Sequence, residues 1–210
     1  MTTPPGTRDG DLFAALPDAD GDADAEAQRR LHARLVAAAD EAGLLDIAYR
    51  TLDTPVGRLL LAATERGLVR VAYASEEHDK VLDQLAHRVS ARVLRAPGRL
   101  ELAAREIDDY FAGRRSRFDL PLDLVLSAGF RRTVLDHLSD IAYGTTASYA
   151  ELAATVGSPR AVRAVGTACA TNPLPIVVPC HRVVRSDGSP GQYVGGTAAK
   201  QALLTLEAAA

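Results

Sequence analysis

The chain has 210 residues, 47% of them hydrophobic, with two cysteines and a net charge of −3. That composition can bury a core as one domain or two small ones. It excludes a disulfide framework, a uniformly basic polyanion binder and, with no apolar run near about 20 residues, a membrane-spanning helix. The opening Met-Thr-Thr-Pro-Pro-Gly lacks the basic and apolar regions of a signal peptide, so a cytoplasmic protein with reduced thiols is expected. Residues 1–50 hold 10 acidic and 5 basic side chains, against 17 acidic and 19 basic in the remainder. The acidity therefore belongs mainly to the N-terminal extension.

In chain order, residues 1–23 are rich in Pro, Gly, Asp and Ala and read as a solvated, disordered segment. Asp18-Ala-Asp-Gly-Asp-Ala-Asp24 is no calcium loop: its glycine falls fourth instead of sixth, and Arg29 stands where position twelve requires glutamate. Residues 24–43 read as a helix with Leu31, Leu35, Val36 and Ala39 on one face, expected to cap the lobe that follows. Together, 1–45 form an N-terminal extension. Three β-rich runs, 47–52, 58–63 and 68–73, are separated by turn signals and predict an antiparallel meander. A helix near 76–88, a strand near 91–95 and a second helix follow. In that second helix Leu100, Ala103, Ala104, Ile107, Tyr110 and Phe111 form a core-facing stripe. Residues 46–127 thus read as a scaffold lobe ending in an extended connector at 119–126.

From Ala128 the pattern is helical, with Phe130, Val134, Leu138 and Ile141 on one face. Ser148 and Glu151 form a capping box, and Gly157 closes that helix. Ser158 and Pro159 predict the start of another at about 159, and Asn172-Pro173 its end. Two helices joined across Gly157-Ser158 make a helix-turn-helix within 128–210. The second is poor in large side chains, which suits close approach to another helix or, with Arg163 among small residues, to DNA.

Next comes Pro175-Ile-Val-Val-Pro-Cys180-His181-Arg182-Val183-Val184, read as an extended run stiffened by Pro173, Pro175 and Pro179. A cysteine in an apolar run is by itself inert core more often than nucleophile. Neighbouring side chains on a strand point to opposite faces, so Cys180 and His181 make a dyad only if the chain turns there or a water bridges them.

The surroundings resolve this. Asp109-Tyr-Phe-Ala-Gly113, Tyr143-Gly144, Ser148-Tyr149-x-x-Leu152-Ala153, Arg163-Ala-Val-Gly166, Asn172-Pro173, Pro179 to Val184 and Gly195-Gly196 form an ordered set between Ile47 and Glu207. In these motifs the chain resembles the O6-alkylguanine-DNA alkyltransferases, direct-reversal repair proteins whose active site carries Pro-Cys-His-Arg-Val. The resemblance implies an α/β (α+β) fold. An N-terminal ribonuclease-H-like sheet lobe with helices would precede a helical, winged helix-turn-helix-like domain carrying the active site. It implies a monomer acting on double-stranded DNA that contains alkylated bases, with irreversible, stoichiometric transfer of the alkyl group of O6-alkylguanine to Cys180 after base flipping. Activity on O4-alkylthymine stays open. No cofactor is implied. Some relatives carry zinc in the N-terminal lobe, but this lobe has no cysteine, and His32, His78 and His87 lack ligand spacing, so no metal is expected.

By the same resemblance, the recognition helix enters the minor groove with Arg163 inserted in place of the flipped base, and Ala164, Gly166 and Thr167 lie against DNA. Cys180 attacks as thiolate, His181 takes its proton through a water, and Glu207 orients the imidazole. Tyr149 protonates ring N3. The carbonyls of Cys180 and Val183 receive the exocyclic amine, and the amide of Val194 faces O6. Tyr193 walls the pocket, and Asn172 ties the recognition helix to the active-site strand. Cys169 reads as packing. Pro190, Val194 and Ala142 depart from the family pattern, the first two where pocket width is set. Two other readings compete. One is a non-catalytic damage sensor or transcriptional regulator, a type that lacks the acceptor cysteine. The other is a cysteine hydrolase, which gives the DNA-binding helix no purpose.

Overall fold

Residues 21–209 are described by the structure, a computed structural model. The chain divides into two units, 1–43 and 44–210. Within the first, α1 spans Gly21–Glu41. The expected disorder of 1–23 is corrected at 21–23, which belong to this helix, while 1–20 lie outside the described residues. Asp24 near its N-terminus complements the helix dipole, a term that composition-based reading of acidic segments ignores. Among the described residues no helix is long and apolar enough to cross a membrane.

In the second unit β1 (Ile47–Thr54), β2 (Gly57–Thr64) and β3 (Gly67–Tyr73) form the expected antiparallel meander. β4 (Val93–Arg95) joins the free edge of β1 in parallel, giving the order β3-β2-β1-β4. Leu59, Leu60, Leu61 and Ala62 of β2 are all buried, as befits a central strand covered on both faces. Leu60 and Ala62 pack with Ile47 and Val69 against Val81 and Leu85 of α2 (His78–Arg88). α3 (Glu101–Phe111) packs against β1, burying Ala103, Ala104, Ile107 and Tyr110 of its stripe. The connector is pinned to β3: Leu68 N donates to Pro121 O at 2.8 Å and Asp123 N to Leu68 O at 2.9 Å. Gly67 permits this approach, with φ +136° and room for no Cβ, which would lie 2.1 Å from Pro121 O.

The C-terminal half contains α4 (Gly129–Leu138), α5 (Tyr149–Thr155), α6 (Val162–Ala170) and α7 (Gly196–Ala208). A short parallel pair, β5 (Ala147–Ser148) and β6 (Val183–Val184), joins the start of α5 to the site. The capping box is formed: Glu151 N donates to Ser148 Oγ at 3.1 Å and Ser148 N to Glu151 Oε2 at 2.6 Å.

Two expectations are corrected. The recognition helix begins at Val162 instead of 159, because Pro159 sits inside a tight turn closed by Ala161 N donating to Ser158 O at 2.8 Å. The segment from Pro173 to Arg182 is folded instead of extended. Val178 N donates to Leu174 O at 2.8 Å, with Ile176 held at φ +74° after Pro175. Pro179, at φ −80° and ψ 61°, centres an inverse γ-turn in which Cys180 N donates to Val178 O at 2.8 Å. Cys180–Arg182 is one turn of 3₁₀ helix, and strand resumes only at Val183. Proline's fixed φ serves turns as well as strands, so proline content alone does not distinguish them.

Gly67→Ala should destabilise the fold by about 2 kcal/mol or more, since both the left-handed backbone and the opposing carbonyl resist it. Urea unfolding of this variant beside Gly98→Ala, where a Cβ meets nothing within 4 Å, provides the comparison.

Candidate active site

The 3₁₀ turn fans three consecutive side chains in different directions. The chain therefore does turn at the Cys-His pair, and Cys180, His181 and Arg182 are all buried. Cys180 Sγ accepts a hydrogen bond from Asn172 Nδ2 at 3.1 Å. The same nitrogen donates to Val178 O at 2.8 Å, and Asn172 Oδ1 accepts from Leu174 N at 3.0 Å. Asn172 thus joins the end of α6 to the site turn and also touches the sulfur.

On the far side lies Glu207 of α7, buried instead of being an ordinary C-terminal surface glutamate. Its Oε1 accepts from Tyr110 Oη at 2.7 Å, His181 Nε2 at 2.9 Å and Arg182 Nη2 at 3.0 Å. Its Oε2 accepts from Arg182 Nε at 2.9 Å and Gly144 N at 3.3 Å. Burial pushes this carboxyl up, but the bonds from His181 and Arg182 outweigh it and hold the pKa at about 2. Burial pulls the His181 pKa below its ordinary value, against the opposing pull of Glu207. At neutral pH the imidazole is therefore neutral, with its hydrogen on Nε2 facing the carboxylate. Nδ1 is buried with no hydrogen-bond partner among the described residues, and it carries the free lone pair. Cys180 is pushed up to about 11 by burial, opposed by the Asn172 bond and the charge of Lys200. The resting pair is thiol and neutral imidazole.

Lys200 was not singled out from the sequence, yet it is fully buried. Its Nζ donates to Val183 O at 2.6 Å and lies 5.9 Å from the centre of the Tyr149 ring. A readable signal existed: Lys200, Leu203 and Glu207 share one helical face at i, i+3 and i+7, which puts a lysine on an apolar stripe. One lone pair of the Val183 carbonyl, expected to meet substrate, is therefore already occupied. Tyr149, half-buried, is pushed up to about 12, first by burial and then by the nearby cysteines. Its hydroxyl packs against Gly191, where a Cβ would lie 3.0 Å away.

Tyr193 is the buried wall of the loop before α7, and its ring meets His181 edge-on at 6.3 Å. Tyr73, at the end of β3, was read only as a strand residue. It contacts Tyr193 hydroxyl to hydroxyl at 3.1 Å, with the rings 5.8 Å apart and crossed at 77°. Gly195 lies against the same Tyr73 ring, with only 2.5 Å left for a Cβ. Tyr193 and the half-buried Val194 line a recess of about 280 Å³ with Ala170 of α6. On α6, Arg163, Ala164 and Thr167 are exposed, Gly166 is half-buried, and Val165, Ala168 and Cys169 face inward. Arg163 takes no hydrogen bond or ion pair from its side chain among the described residues, unlike an arginine serving the fold.

Glu207→Ala should cost about 3–5 kcal/mol, because it strands Arg182 and His181 in a buried site. The folded-state pKa values of Glu207 and His181 both lie below their ordinary values, so each contributes stability that is lost as pH falls. The His181 contribution fades below about pH 6.5 and that of Glu207 between about 4.5 and 2. Urea midpoints across this range should fall with pH in the parent and fall less in Glu207→Ala.

Residues 47–124 match the family model of the 6-O-methylguanine DNA methyltransferase, ribonuclease-like domain, and residues 129–209 that of the 6-O-methylguanine DNA methyltransferase, DNA binding domain. The methylated-DNA–protein-cysteine methyltransferase of Mycolicibacterium paratuberculosis is 40% identical over 161 residues, covering 77% of this chain and 92% of that protein. The constitutive enzyme of Bacillus subtilis is 37% identical over 163 residues, covering 76% and 94%. The crystal structure of Mycobacterium tuberculosis OGT in complex with DNA superposes with a TM-score of 0.68 at 37% identity, covering 77% of this chain and 93% of that one. Matched in both halves by sequence and in architecture by solved relatives, the chain belongs to the 6-O-methylguanine DNA methyltransferase family.

Proposed function

We propose that the protein, a cytoplasmic monomer, repairs alkylated double-stranded DNA by moving the alkyl group of O6-alkylguanine onto its own Cys180, once per molecule. The observation that carries this reading is a buried thiol on the same turn as a neutral imidazole whose orientation is fixed by an ionised carboxylate. With the thiol pKa near 11, few molecules hold thiolate at neutral pH, so a base must accept the proton. His181 Nδ1 has the free lone pair for this and takes the proton through an intervening water. Sulfur then attacks the alkyl carbon, the carbon–O6 bond breaks, and its electron pair passes into the guanine ring. Tyr149 supplies a proton to ring N3 as that charge develops. The product thioether has no displaceable group, so the protein is spent.

Cys180 is 2% exposed, which means that a base stacked in a duplex cannot reach it. The damaged nucleotide has to rotate out of the stack toward Cys180, with Tyr193 walling it and the Val194 amide and the carbonyls of Cys180 and Val183 reading its edges. Arg163, exposed and unpaired on α6, fills the gap in the stack, and Ala164, Gly166 and Thr167 line the groove contact. Residues 46–127 serve as the supporting lobe and 128–210 as the DNA-binding and transfer domain.

Incubation with a duplex holding one O6-methylguanine should add one methylene to the Cys180 peptide, once per chain, and nothing to Cys180→Ser. Damage-dependent binding with no mass gain would leave a sensor instead. His181→Gln should slow single-turnover transfer roughly 10²–10⁴-fold. The parent's rate should be flat from about pH 6.5 to 9 and fall only below that range, where His181 becomes protonated. A rate that climbs tenfold per pH unit across that plateau would place the proton transfer elsewhere.

A further inference from the structure

Where α2, the end of β3, the start of α4 and the end of α6 meet, a cavity of about 300 Å³ opens, walled by Arg70, Arg88, Arg131, Glu76, Thr171 and Val194. Its charges are not balanced. Arg70 is ion-paired with Glu76 and also donates to Pro173 O at 3.1 Å, while Glu76 further accepts from Tyr73 N at 2.9 Å. That pair is satisfied. Arg88, in the last turn of α2, is exposed and takes no hydrogen bond or ion pair from its side chain among the described residues. Arg131, in the first turn of α4, gives Nη2 to Leu126 O at 2.7 Å; its Nε is buried without a partner, and its Nη1 takes no hydrogen bond among the described residues. Two guanidinium groups, one from each half of the 44–210 unit, therefore face one cavity with donors to spare and no carboxylate left to meet them.

Such a site takes an oxyanion, and phosphate geometry suits the guanidinium fork. The location identifies its source. α6 has nine residues and is about 14 Å long. Its exposed face begins at Arg163 and ends at Ala170 and Thr171, and both of these residues line the cavity. DNA lying along that face brings its sugar-phosphate backbone over the opening. We infer that the cavity seats one backbone phosphate of the bound duplex, held by Arg88 from the sheet lobe and Arg131 from the helical domain. This rests on the proposed placement of DNA along α6. It gives the sheet lobe a direct part in DNA binding, and it adds one cation, Arg88, to a transfer domain that has 7 basic against 5 acidic side chains in residues 128–210.

The test is binding of an unmodified duplex by the full chain across a series of chloride concentrations. Arg88→Ala and Arg131→Ala should each weaken binding roughly tenfold at low salt. Each should also make the slope of log K against log salt shallower, and the double variant by about 1 in all. Arg88→Lys should keep the parent slope, and Arg105→Ala, an exposed arginine of α3 outside the cavity, should leave it unchanged. Parent slopes in both alanine variants would overturn the inference, as would a thermal shift with inorganic phosphate that Arg88→Ala abolishes while its DNA slope stays intact. Methyl transfer by the parent is measured in parallel. Its failure would sink the repair reading, whereas unchanged slopes beside normal parental transfer would sink the phosphate seat alone.

Discussion

A carboxylate removed from water costs several kcal/mol, and that cost is offset only when its lone pairs are filled by well-placed donors. Glu207 meets this condition by drawing donors from three separate places: Tyr110 on α3, the amide of Gly144 before β5, and the site turn through His181 and Arg182. Each of those segments is thereby registered against α7. Arg182 matters in a second way. A lone carboxylate beside an imidazole would raise its pKa, but burial of the ring outweighs that pull and the Arg182 guanidinium adds to the opposition, so the ring is held without being protonated. Glu207 sets the orientation of His181, while burial, helped by Arg182, keeps it neutral.

The sheet lobe grips the segment that carries the chemistry at both ends. At the entry, Val71 N donates to Pro173 O at 2.9 Å, alongside Arg70. At the exit, Tyr73 holds Tyr193 and closes over Gly195. Between these points the chain makes a turn with a β-branched residue, Ile176, at positive φ, a conformation that costs roughly 1–3 kcal/mol and persists only where its surroundings determine it. Cys180 emerges from that turn with its sulfur already bonded to Asn172.

What could be read from the sequence was what is encoded locally. The meander, the stripe of α3 and the Ser148–Glu151 box depend on residues a few positions apart, and they stand as expected. The stretch from Pro173 to Arg182 was misread because three prolines constrain φ equally well for a strand and for consecutive turns. The start of α6 was misplaced because Ser158 and Pro159 serve a turn as readily as a cap. The grouping of Cys180, His181 and Glu207 was legible only through family likeness, since 25 residues or more separate the turn from its carboxylate. Arg182, Lys200 and Tyr73 went unassigned for the same reason: their roles exist only once α7 and β3 have been brought to the turn.

Tyr73 and Gly195 come from different halves of the 44–210 unit, yet neither position is free while the other is kept. An aromatic ring at 73 forbids any side chain at 195, and a small residue at 73 would leave a slot behind the pocket wall. The two halves are thus not interchangeable parts. A helical domain with any side chain at 195 would collide with this sheet lobe, and a sheet lobe with a small residue at 73 would leave this helical domain a gap, so the two positions can change only together.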